Sequence, residues 1–220
     1  MDLNSVWALR PDHDSSLNCL VCESSAVATT MKKVKIQDDA GLAYCVEHAS
    51  ALIQAIHDYA GRDFTKKWKL RFPRGYVRTA QEQRQRLSFI PDGPLKDNIA
   101  YTLILADTTH WLLCRTDVTH TIQEQLIKLH LFLLGALVES ITKVYLSGKC
   151  GKSYKIRTEY LVTHHHITPK LKIDLDWLWD MRNNMHLFLV PNSEYSCPDY
   201  TVANYSRGVA AFRELVNGLA

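Results

Sequence analysis

The sequence predicts a mainly α-helical fold, a helical bundle preceded by a small α+β module, and three observations carry that prediction. Apolar residues recur at three- and four-residue intervals through much of residues 96–220. Cysteines crowd the first 50 residues, around a run rich in β-branched side chains. With 46 % hydrophobic and 22 % charged residues in 220, the composition is that of a globular protein, and disordered, collagen-like and coiled-coil classes are excluded. A chain of this length buries a sizeable core without disulfides. The formal net charge of +3 selects no class of partner, so only a local excess is informative.

The elements divide into three zones: 1–61, a small cysteine-bearing module; 62–95, a basic connector; and 96–220, the bundle. In the first zone Val27–Ile36 reads as a strand, Gln37–Gly41 as a turn and Leu42–Tyr44 as a second strand, together a hairpin with a longer loop. Leu52, Ile53, Ile56 and Tyr59 then recur at helical spacing within Val46–Tyr59, and Gly61 is a stop. The bundle begins after Pro91, Gly93 and Pro94 with a helix over Ile99–Leu113. Thr119 or Thr121 caps a second helix that runs to Leu146, along which Ile122, Leu126, Leu129, Leu133, Leu137 and Ile141 advance by three and four. Tyr154–His164 is a shorter helix, and His164–His166 form its end or a polar loop. Asp174–Leu189 is the fourth, stopped before Pro191, and Val202–Leu219 the fifth, with Asn204 or Ser206 near its start. Met1–Pro11 lacks the pattern of a targeting signal, and the most apolar run, Leu129–Val138, is about half of a bilayer span. The expectation is a cytoplasmic protein with no membrane partner.

Cys19-Leu-Val-Cys22 and Cys45-Val-Glu-His48 are two pairs with the same two-residue gap. Such a gap lets a tight knuckle present both donors to one ion, and two pairs fill the tetrahedron of a structural zinc. The order of knuckle, hairpin and helix-borne ligands resembles the treble-clef zinc finger. Four protein ligands leave no open position, so the implied zinc is structural and no catalytic metal is expected.

Between Arg62 and Arg86 nine basic side chains face two acidic ones, Asp63 and Glu82. Phe64, Trp68, Phe72 and Tyr76 are interleaved at four-residue intervals. Cations on such a segment pair with phosphates while aromatics offer faces to unpaired bases, which makes Lys66, Lys67, Lys69, Arg71 and Arg74 candidate RNA-binding residues. The alternative is a stripe of four aromatics packed on the bundle beside a solvated charged face.

Asp176–Leu189 reads DWLWDMRNNMHLFL, with Trp177, Leu178, Met181, Met185 and Phe188 on an apolar face and Arg182, Asn183 and His186 near its edge. Arg182 and His186 are four residues apart and share one side of a helix. An imidazole shuttles protons and a guanidinium holds a phosphate and its developing charge, so the pair is suited to phosphodiester cleavage.

The phrase LWDMRNNMHLF, following the long apolar helix Leu131–Leu146, resembles the HEPN domain (higher eukaryotes and prokaryotes nucleotide-binding) over residues 96–220. That resemblance implies a metal-independent endoribonuclease, in a prokaryotic antiviral-defence or toxin–antitoxin setting, with Arg182, Asn183 and His186 as catalytic residues. It also implies a homodimer through the Arg182/His186 helix, RNA as substrate, and an antitoxin or other regulatory partner. Trp177 and Trp179 on that helix supply apolar surface for such a dimer. Three residues separate Arg182 from His186 here, where the family usually has four to six. The alternative function is a non-catalytic nucleic-acid- or partner-binding module with a structural zinc finger.

Overall fold

Side-chain caps start four of the seven helices in the computed structural model, which describes residues 35–63, 65–185 and 198–220. Seven helices and no strand occur among the described residues, so the chain is mainly helical. It divides into two compact units, Met1–Leu70 and Arg71–Ala220.

In the first unit α1 spans Asp39–Ala60. The Asp38 carboxylate accepts from the Gly41 N–H at 2.7 Å, Asp39 sits in the positively polarised first turn, and Gly61 ends the helix at φ 52°. Two expectations are corrected by that cap. Asp38 and Asp39 start a helix rather than turn a hairpin, so Leu42–Tyr44 is helical, and Cys45 and His48 lie within α1 instead of at its beginning. Of the other expected strand, residues 27–34 lie outside the described residues.

The second unit opens earlier than expected. α2 (Ala80–Arg86) is started by a reciprocal cap in which Thr79 Oγ1 accepts from the Glu82 N–H and Glu82 Oε2 accepts from the Thr79 N–H. Leu87 and Ile90 follow it into the core, at 0 % and 2 % exposure. The unit boundary therefore falls inside the stretch read as a connector, and residues 71–95 belong with the bundle. Fully burying such a side chain contributes about 1.5–3 kcal/mol, enough for two aliphatic anchors to outweigh a polar neighbourhood.

α3 (Pro94–Arg115) and α4 (His120–Tyr145) follow, joined by a four-residue loop that makes them neighbours. Then come α5 (Tyr154–Thr163), α6 (Pro169–Asn184) and α7 (Val202–Leu219). α4 is the central element and packs against α3, α5, α6 and α7. Its fully buried face is Ile127, Leu131, Leu134, Val138 and Ile141, whereas Ile122 and Leu129 of the expected stripe are 64 % and 40 % exposed. It is also the helix among the described residues that is long and apolar enough to cross a membrane, and 56 % of its most apolar window is buried inside the protein. α6 starts five residues before the expected Asp174, because Thr168 caps it through the Leu171 N–H and Pro169 fits its first turn. α7 has the expected bounds, with Thr201 rather than Asn204 or Ser206 as its cap.

Candidate functional site

Arg182 lies in the last turn of α6, where that helix crosses α4 at Gly135. A Cβ at Gly135 would sit 2.6 Å from Arg182 Cβ and 3.0 Å from the Leu178 carbonyl oxygen, so only a glycine lets the arginine stem lie against α4. One turn further along α4, Glu139 Oε2 receives Arg182 Nη2 at 3.3 Å, while Arg182 Nη1 donates to Asn183 Oδ1 at 2.8 Å. The guanidinium is thus held from two sides, and both partners of the ion pair are about one-third exposed. Solvent screening keeps such a pair below about 1 kcal/mol, so a phosphate can compete with Glu139 for the cation. Arg182 and Asn183 are chain neighbours held by one hydrogen bond, and His186, their expected partner, lies outside the described residues.

Trp177 and Trp179, the expected dimer surface, are half-buried and pack partly on the protein's own core. Trp179 is stacked on Tyr154 at 5.0 Å, and Trp177 lies under the Arg207 guanidinium at 4.2 Å.

Of the four expected zinc ligands, Cys19 and Cys22 lie outside the described residues. Cys45 is half-buried and His48 is exposed, its ring stacked on Tyr44 one turn earlier. Spacing of three residues in α1 keeps Cys45 and His48 on one side of the helix. Among the described residues no three His, Cys, Asp or Glu side chains gather at one point.

The basic stretch is shared between the two units. Lys66 donates to the Tyr59 carbonyl at 2.9 Å and lies over the Tyr59 ring, Lys67 and Lys69 are exposed in the first unit, and Arg71 and Arg74 are exposed in the second. No single aromatic stripe forms from Trp68, Phe72 and Tyr76. Residues 65–79 are not helical, so four-residue spacing does not project onto one face. Trp68 stays 45 % exposed, Phe72 packs on Trp111 at 4.8 Å, and Tyr76 lies nearly parallel to His110.

That last contact leads to a site that sequence reasoning missed. α2, α3, α4 and α7 frame an open cavity of about 380 Å³ in the second unit, lined by Tyr76, Arg78, Arg86, Asp107, His110, His130 and Arg213 together with apolar side chains. His130 is 3 % exposed, and its Nδ1 is 2.7 Å from Thr109 Oγ1. His110 Nδ1 makes a hydrogen bond with the Tyr205 hydroxyl, and Cys114 Sγ is 3.7 Å from the same hydroxyl. Burial, reinforced by His110, pushes the His130 imidazole down to about 4. Burial also lowers His110, partly offset by the Asp107 carboxylate, and raises Tyr205 with help from Cys114. Both histidines are therefore neutral near pH 7. The one signal in the sequence was His130 itself, an imidazole inside the most apolar run and in phase with Ile127 and Leu134.

No family model, characterised protein or solved structure matches the chain, so its class rests on the architecture itself, a mainly helical protein with a central buried helix.

Proposed function

We propose that the protein is a metal-independent endoribonuclease of HEPN-like design, cytoplasmic, working in a prokaryotic defence or toxin–antitoxin setting under an antitoxin or regulatory partner. The observation that supports this reading is the placement of Arg182, whose guanidinium is oriented by Gly135, Glu139 and Asn183 at the very end of α6, four residues before His186. In the reaction, the ribose 2′-hydroxyl attacks the adjacent phosphorus. A P–O2′ bond forms, the P–O5′ bond breaks, and the products are a 2′,3′-cyclic phosphate and a 5′-hydroxyl. His186 takes the proton from the nucleophile or returns one to the leaving oxygen, and Arg182 holds the phosphorane oxygens. A single imidazole serves both sides of the phosphorus poorly, so two chains pair through the Arg182/His186 helix and divide the roles. Lys66, Lys67, Lys69, Arg71 and Arg74 hold the RNA backbone, and zinc on Cys19, Cys22, Cys45 and His48 shapes the N-terminal module.

A second reading, non-catalytic nucleic-acid or partner binding, is favoured by the exposed side chains of Lys67, Lys69, Arg71 and Arg74, which suit phosphate contact and need no cleavage chemistry. Incubation with labelled RNA in EDTA separates the two. Cleavage by the wild type, lost in Arg182→Ala and in His186→Ala, fits the enzyme, whereas binding without cleavage fits the module. Glu139→Gln, which releases the guanidinium, is expected to raise phosphate affinity on either reading.

A further inference from the structure

The cavity bounded by α2, α3, α4 and α7 is lined by neither Arg182 nor Asn183, and nothing in the proposed cleavage uses it. Its charge is unbalanced. Three guanidiniums, Arg78, Arg86 and Arg213, line it against the single carboxylate of Asp107 among the described residues. That carboxylate is committed. Arg78 Nη1 lies 3.0 Å from Asp107 Oδ1 and 3.3 Å from Oδ2, the Arg78 N–H donates to Oδ2 at 3.3 Å, and Gln83 Nε2 donates to Oδ2 at 2.9 Å. Asp107 therefore pairs directly with Arg78 and acts on Arg86 only at longer range, so one carboxylate faces three guanidiniums on the cavity wall.

The cations are also positioned. Gln83 is 0 % exposed, and its amide works in two directions, donating to Asp107 while its Oε1 accepts from Arg86 Nη1 at 2.8 Å. A fully buried amide that ties a carboxylate to a guanidinium sets both before any ligand arrives, which spares the ordering cost of binding. Apolar side chains, Leu103, Leu134 and Phe212 among them, also line the cavity, and Tyr76 and His110 present near-parallel rings, 18° apart in plane. With both imidazoles neutral, three guanidiniums against one carboxylate leave an excess of two positive charges, which matches a dianion. The apolar side chains and rings match a flat, weakly polar body, and the volume lies within the range of small-ligand pockets.

We propose that this cavity binds a phosphomonoester dianion carried on an aromatic or heterocyclic body, with its phosphate on Arg86 and Arg213 and its ring over Phe212 and beside Tyr76 and His110. A nucleoside monophosphate and a simple aryl phosphate share that chemistry, and the proposal does not rest on RNA cleavage.

Calorimetric titration of the full chain with adenosine 5′-monophosphate, phenyl phosphate, adenosine and inorganic phosphate tests it. At least one ring-bearing phosphate is expected to bind ten-fold or more tightly than both adenosine and inorganic phosphate. Preference for adenosine 5′-monophosphate assigns a nucleotide, and preference for phenyl phosphate assigns an aryl phosphate. Arg86→Gln and Arg213→Gln should each weaken binding ten-fold or more, and Arg182→Gln should leave it unchanged, which separates this site from the proposed cleavage site. Arg213 is exposed, so its replacement keeps the test valid even if loss of Arg86 perturbs folding. Binding of adenosine as tight as that of its phosphate, no binding of either phosphate at millimolar concentration, or undiminished binding by Arg213→Gln overturns the proposal.

Discussion

Thr109 on α3 and His130 on α4 share a 2.7 Å hydrogen bond that is sealed from solvent, each residue being 3 % exposed. The bond fixes one ring nitrogen of an imidazole that the interior keeps uncharged, and it ties two of the helices that line the cavity.

Acid should loosen the bundle through His130. Its folded value is about 4 against an ordinary 6.5, so between those values the unfolded chain binds a proton that the folded chain refuses. The contribution is complete above pH 6.5, falls as pH drops through the window, and levels off below about 4. The full span is about 3 kcal/mol, of which about 2 kcal/mol is lost between pH 7 and pH 5. Urea unfolding at those two pH values, compared between wild type and His130→Met, isolates the effect; the variant should lack that part of the acid sensitivity. Equal pH dependence in both proteins would assign acid lability to other groups.

Gly135→Ala should be destabilising although alanine is the better helix former. The new methyl meets Arg182 Cβ at 2.6 Å and the Leu178 carbonyl at 3.0 Å, which forces α4 and α6 apart. Overpacking of this kind costs about 1–3 kcal/mol, more than the gain of roughly 1 kcal/mol in propensity. Gly208→Ala makes a contrast, because its close neighbour is Leu131 Cδ2, a side-chain end, whereas Gly135 also meets backbone at the Leu178 carbonyl. Chemical denaturation should rank the losses Gly135→Ala above Gly208→Ala, and the reverse order would mean that the α4–α6 crossing is pliable.

Replacing Lys66, Lys67 and Lys69 with Glu should weaken RNA binding independently of sequence and flatten its salt dependence. Every phosphate that the protein ceases to neutralise takes about 0.7 off the log–log slope for a single strand. Lys66, bonded to Tyr59, should contribute less than Lys67 or Lys69 in single-charge reversals. An unchanged slope would assign these lysines to solvated surface.

Fresh protein should carry one zinc per chain, and Cys45→Ser should release it and loosen the N-terminal unit. Binding energy at closed sites is largely folding energy, on the order of 10 kcal/mol. Elemental analysis reads the stoichiometry directly. A metal-free, fully folded protein would mean that the N-terminal unit needs no ion.

Local chemistry was legible in the sequence wherever it was sufficient. α7 has its expected bounds, and α3 and α4 cover their expected ranges, because apolar period and short polar turns act within a few residues; the stripe expected along α4 is only partly its buried face. Errors arose where one local signal had two outcomes. Gln37–Gly41 can turn a hairpin or cap a helix, and the Asp38 carboxylate on the Gly41 N–H decided for the helix. The stretch from residue 71 looked like a connector because Leu87 and Ile90 are isolated in sequence, and only packing shows them to be anchors.

The sequence by itself determined a mainly helical chain and singled out Arg182, Asn183 and His186 on one helix; that Arg182 and Asn183 fall in its last turn is seen only in the structure. Tertiary structure alone decided what surrounds them: Gly135 and Glu139 come to Arg182 from another helix, more than forty residues away. It alone joined Gln83 to Asp107, 24 residues apart, and His110 to Tyr205, 95 residues apart. Helical periodicity specifies which face of an element is buried, but not which other face it meets. Contacts between helices follow from how apolar surfaces of matching shape exclude water together, and that is a property of the whole bundle.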